Sequence, residues 1–212
     1  MNKNILGSRG LFLVLAFMLA GVGSAQAAFP NNGFFLNMSQ PDISSFGITT
    51  TYDASTGKFD ADGFATSITP PGAPAGTITD GVFTLDANID SATGMANNGS
   101  LSIMGSVGSS GPTLLTGILT GFGSVNGNDT LEFLFDVTGG DLAGDFTGPW
   151  GVGVQLNNTG FAAVSGFSTY TGNTPFTGSA NTAVNVPEPG ALVLMLGGVI
   201  GFAVRRWRLS AS

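Results

Sequence analysis

The chain has 212 residues, a formal net charge of −7, 34 glycines, and neither cysteine nor histidine. The first absence removes disulfides and thiolate metal sites; the second removes the usual general base, zinc ligand and triad partner. Lys3, Arg9, Arg205, Arg206 and Arg208 lie at the two ends, leaving Lys58 alone in the body, and of the 13 acidic residues only Glu188 lies outside it. Twelve acids offset by one lysine leave the body at about −11, a charge that repels nucleic acid and anionic surfaces.

In chain order, Lys3 and Arg9 form a basic n-region, Leu11 to Val22 an apolar stretch, and Ala25-Gln26-Ala27 a small-x-small cleavage pattern. This is the plan of a secretory signal peptide over residues 1–27. It directs the chain to the secretion machinery and makes Ala28 the new N-terminus.

Residues 28–164 read as one acidic, glycine-rich all-β domain. Short alternating apolar runs broken by Gly, Ser, Thr and Asn predict an antiparallel β-sandwich or barrel-like domain of about seven or eight strands. Ile48 to Tyr52 and Lys58 to Asp60 flank a turn. From Val82 to Ile89 the residues Phe83, Leu85, Ala87 and Ile89 face one way and Thr84, Asp86, Asn88 and the following Asp90 the other. Leu101 to Val107, Leu114 to Phe122, Leu131 to Val137 and Val152 to Leu156 follow as further strands. No body segment carries a 3.6-residue apolar period, so helical turns are expected only near Ile43 or Asp141 to Ala143.

The pattern Asp-x-x-Thr-Gly occurs at Asp53 to Gly57 and again at Asp90 to Gly94, with a shortened echo from Phe135 to Gly139. An Asp that accepts backbone N–H bonds and a Gly that takes positive φ make a hairpin connection. The acids also raise the question of calcium. Asp60 and Asp62, and Asp141 and Asp145, are the candidate ligands, although neither pair completes a calcium loop, and Asp86, Asn88 and Asp90 start an EF-hand spacing that lacks its glycine and its bidentate Glu. No cofactor is otherwise implied. For glycoside hydrolysis the nominal carboxylate pairs are Asp129 with Glu132 and Asp141 with Asp145, beside Trp150.

Residues 165–185 are rich in Ser, Thr, Gly and Asn and read as a flexible linker, a hydroxyl-rich stalk. After it, residues 186–212 form a tripartite tail: Pro187-Glu188-Pro189, an uncharged apolar run over 190–204, and a basic end with Arg205, Arg206, Trp207 and Arg208. The run is short for a membrane span of roughly 20 residues. Its flanking arginines can snorkel, their clustering puts that end in the cytoplasm, and Trp207 suits the interface, so one C-terminal transmembrane helix is expected.

The order of parts in this tail resembles the PEP-CTERM sorting signal of exopolysaccharide-producing Gram-negative bacteria, with Pro187, Glu188 and Pro189 as its motif. The resemblance implies recognition by an exosortase-type sorting protease at the membrane, transient anchoring in the inner membrane, and delivery to the cell surface or extracellular matrix. It speaks of delivery and leaves the body unmatched. The expectation is therefore a non-enzymatic, exported surface or matrix protein with a structural or adhesive role among exopolysaccharide or biofilm. The alternative is a carbohydrate-binding module, which calls for an exposed aromatic platform built from Trp150, Tyr52 or Tyr170; a carboxylate-pair glycoside hydrolase ranks behind it.

Overall fold

A computed structural model describes residues 36–186, Pro149 excepted. The signal segment with Ala25, Ala27 and Ala28, the motif Pro187-Glu188-Pro189, the apolar run 190–204 and Arg205, Arg206 and Arg208 lie outside the described residues.

Nine strands follow one another: β1 (Met38–Asp53), β2 (Lys58–Thr69), β3 (Gly76–Thr77), β4 (Thr79–Ile89), β5 (Ala96–Ser106), β6 (Thr113–Ser124), β7 (Leu131–Gly139), β8 (Val152–Asn157) and β9 (Asn173–Asn185). Hydrogen bonding runs without a break in the order β1-β9-β8-β7-β6-β5-β4-β2, and β1 pairs β2 to close the ring. The domain is thus a closed eight-stranded antiparallel barrel, with the two-residue β3 appended to β2. Of the two expected architectures the barrel is the one formed; no break divides the ladder into the two sheets of a sandwich. Closure leaves no unpaired edge in the ring. It requires β1 to curve enough to hold partners on both sides, and register shifts at Ser44/Ser45 and between Phe46 and Thr49, where Gly47 takes φ 63°, supply that bend.

Strand alternation sorts the residues as their polarity demands. On β4, Phe83, Leu85, Ala87 and Ile89 point inward as the sequence predicts. Eight strands enclose a space just wide enough for side chains to fill. Here aromatic rings fill it: Phe133 stacks on Phe59 with centroids 5.4 Å apart and lies 4.8 Å from Phe122, while Phe161, Phe167, Tyr52 and Tyr170 form a second cluster. Ile43, expected near a helical turn, lies inside β1. The segment Asp141 to Ala143 does form a tight turn, and the one helical element among the described residues is a short 3-10 turn, Phe161–Ala163.

The stalk expected over 165–185 is corrected by the structure. From Asn173 onward this segment is β9, paired with β1 on one side and β8 on the other. Its inward positions Ala180, Thr182 and Val184 are small or β-branched. A barrel already filled by phenylalanine rings needs small residues on its closing strand, so the strand carries little of the hydrophobic alternation that marks the others. Phe167 and Tyr170, just before it, are core residues as well.

Strand direction gives the barrel two rims. At one, the chain enters at Met38 and leaves at Asn185; this is the tail rim, which also holds the turns between β2 and β4, β5 and β6, and β7 and β8. The other, the far rim, holds the hairpins β1–β2 and β4–β5.

Candidate functional site

The tail rim is where the body meets the sorting segment, and it is stitched closed. Met38 lies opposite Asn185 in the ladder. The Asn37 N–H donates to Asn185 Oδ1 at 3.1 Å, and the Val186 N–H donates to the Asn37 carbonyl at 2.8 Å. Asn185 also binds the loop before β8: its Nδ2 donates to the Trp150 carbonyl at 3.4 Å and its N–H to the Gly151 carbonyl at 3.0 Å. Upstream, Leu36 lies on the outer wall, where its N–H donates to Glu132 Oε2 at 3.0 Å and its methyl groups fill the space above Gly153. A Cβ at Gly153 would meet those methyls at 2.8 Å. This strap was missed by reading the sequence, although a glycine inside an apolar strand signals close approach of another segment.

The hydrogen-bonded barrel therefore runs to within one residue of Pro187. With β9 ending at Asn185 and Val186 bonded to Asn37, no stalk lies between the last strand and Pro187.

At the far rim the repeated pattern does what its chemistry predicts. Asp53 Oδ1 accepts from the Ser55 N–H at 2.8 Å and the Ser55 hydroxyl at 2.6 Å; Asp90 Oδ1 accepts from Thr93 N–H at 2.7 Å and Thr93 Oγ1 at 2.8 Å. Gly57 and Gly94 take φ 76° and 66° to close the turns. These bonds hold both carboxyls below the usual range. The two hairpins are also laced together, because the Ile89 N–H donates to Gly57 O at 2.7 Å and the Tyr52 hydroxyl to Ile89 O at 2.9 Å. The echo at Phe135 to Gly139 is no hairpin; it lies within β7.

The candidate calcium ligands fall in two unrelated places. Asp60 and Asp62 lie on β2, Asp60 in an ion pair with Lys58 Nζ at 3.0 Å. Burial and the neighbouring Asp60 charge raise the Asp62 carboxyl. Asp141 Oδ2 accepts the Gly111 N–H at 2.7 Å and so ties two tail-rim turns together, with Asp145 in the turn that follows. Among the described residues no three acidic groups converge as a metal site would require. The carboxylate pairs for sugar hydrolysis are likewise engaged by the fold: Glu132, 1% exposed, holds Leu36 and accepts from Gln155 Nε2 at 3.3 Å, while Asp129 Oδ1 accepts the Gly160 N–H at 2.5 Å.

Of the proposed aromatic platform, Tyr52 and Tyr170 are core, 7% and 3% exposed, and only Trp150, at 52%, faces solvent. The Tyr170 hydroxyl donates to Thr159 O at 2.6 Å, and its burial pushes its pKa up. Among the described residues, the outer surface also carries a cleft and an apolar row. A polar cleft of about 240 Å³ at the far rim is lined by Tyr52, Asp53, Lys58, Asp60 and Asn173 among others. On the wall, Phe46 and Phe64 face each other across β1 and β2 with ring centroids 6.0 Å apart, both more than half exposed, and continue to the exposed, paired Val82 and Met104 on β4 and β5.

Among the described residues no helix is long and apolar enough to cross a membrane, and 190–204 lies beyond them. Comparison with curated proteins and with solved structures returned no match for this chain. Residues 185–208 match the PEP-CTERM protein-sorting motif, and with it the chain is an exported protein that carries an exosortase sorting signal directly behind the last strand of its barrel.

Proposed function

We propose that the barrel is a structural or adhesive module of the cell surface or extracellular matrix in an exopolysaccharide or biofilm setting, with no catalytic residues of its own. The sorting motif at 185–208 is the observation that carries this reading. The interior is occupied by side chains, with Phe59, Phe83, Phe133 and Phe135 fully buried, so contacts with partners fall to the outer surface. The row from Phe46 to Met104 brings four exposed apolar side chains together on that surface and suits contact with other macromolecules. The test is replacement of Pro187-Glu188-Pro189 by alanines, read by the intact mass of protein from the host's surface fraction. The native chain is expected to start at Ala28 and lack Arg205 to Ser212, and the variant to keep its tail in the inner membrane. A variant delivered and trimmed like the native chain refutes the sorting role of the motif and removes the observation on which this reading rests.

The carbohydrate-binding alternative draws on the far-rim cleft, where Asp53, Lys58, Asp60 and Asn173 could meet sugar hydroxyls. The burial of Tyr52 and Tyr170 counts against it. It predicts that Asn173→Ala lowers retention on the host's own polysaccharide; equal retention sets it aside.

A further inference from the structure

Trp150 is an exposed tryptophan at the tail rim, on a loop that Asn185 holds by two bonds beside the point where the chain leaves the barrel. From Val186 to Gly190, where the apolar run begins, the chain advances four residues. Fully extended, four residues span at most about 14 Å, and a Pro-rich segment reaches about 12 Å. The headgroup zone on one side of a bilayer is itself several ångströms deep. A tail inserted at Gly190 therefore holds this rim, and not the far rim, against the lipid headgroups. Tryptophan is the residue that gains most from that zone, with an apolar ring and one N–H donor.

Charge decides how durable such a contact is. Asp42, Asp80, Asp141 and Asp145 lie at or near this rim, while Lys58, the only basic side chain among the described residues, is at the far rim. Free in solution the domain is repelled by anionic lipid; only the tether's high effective concentration overcomes this. We propose that Trp150 seats the tail rim on the membrane interface while the sorting tail is inserted, and that the contact is lost when the tail is removed. The proposal rests on the tail being a membrane anchor, and consequently the rim that releases the barrel is also the rim that presents the motif to a membrane-embedded protease.

The chain has two tryptophans, which makes the two readings separable. Trp207→Phe leaves Trp150 as the reporter of the rim, and Trp150→Phe leaves Trp207 as the reporter of the tail. Each full-length variant is reconstituted in phosphatidylcholine–phosphatidylethanolamine vesicles and quenched with iodide from the water and with brominated lipids from the bilayer. Both tryptophans are expected to be quenched by shallow brominated lipid, and Trp150, about half exposed in the barrel itself, to be several-fold less accessible to iodide in the vesicles than in the same folded variant after its tail has been cut off by protease, which also reads the loss of the contact. Lipid quenching of Trp207 with Trp150 as open to iodide as in the cleaved barrel overturns the seating and leaves the anchor intact. Failure of lipid to quench Trp207 overturns the anchor and the seating with it. Shielding of Trp150 that vanishes on dilution to one chain per vesicle assigns the contact to a second protein and also overturns the proposal.

Discussion

Ala180→Asp tests whether residues 173–185 are the closing strand of the barrel. Ala180 is 3% exposed and points inward, opposite Ser45 on β1 and Leu156 on β8. A carboxyl placed there cannot ionise without moving charge into an apolar interior, so its folded pKa rises by about 3–5 units above an ordinary value near 4. At pH 7 about three of those units are expressed, and at 1.36 kcal/mol each the cost is about 4 kcal/mol. Against a stability of about 5–15 kcal/mol for a domain, the variant is severely weakened, with a Tm lower by about 8–16 °C. Because the folded pKa is raised, the penalty is largest at neutral pH and fades as pH falls toward the unfolded value near 4. The matched control is Ser179→Asp, the same charge one residue earlier on the outward face, which is expected to change stability by less than about 0.5 kcal/mol. Urea melts followed by circular dichroism at pH 7 and pH 5 give the comparison. If the two variants melt together with the native protein at both pH values, the segment is a stalk after all and the closed barrel is wrong.

Two further outcomes depend on the titrating groups. Tyr170 and Tyr52 have phenols raised by burial, the first in contact with Thr50 and Thr159; stability is therefore complete below pH 10 and lost above it as the unfolded chain ionises first, and Tyr170→Phe should flatten that alkaline limb in a Tm-against-pH series. Asp53 and Asp90 are lowered by the hairpin bonds they accept, so their contribution is present above the ordinary carboxyl value near 4 and lost as pH falls through the folded one; the double variant Asp53→Asn, Asp90→Asn should melt less steeply with acid than the native protein as pH falls below about 4, and an unchanged acid limb refutes the capping role.

Much of this molecule is written locally. The alternation of Phe83, Leu85, Ala87 and Ile89 fixes which side of β4 is buried, because side chains on a strand alternate whatever the strand packs against. The Asp-x-x-Thr-Gly turns are legible for the same reason: their hydrogen bonds join residues two or three positions apart. The sorting tail is also a local signal, legible from the order of a stiff motif, an apolar run and arginines within residues 185–208. The tertiary structure alone decided that 173–185 is a strand, since small residues at Ala180 and Thr182 become inward positions only once β1 and β8 stand on either side. It also moved Tyr52 and Tyr170 from a surface platform to the core, and Glu132 from a nominal acid to the acceptor for Leu36. Those roles belong to contacts between residues far apart in the chain, such as Asn37 with Asn185, and no local pattern records which distant backbone will close the ring.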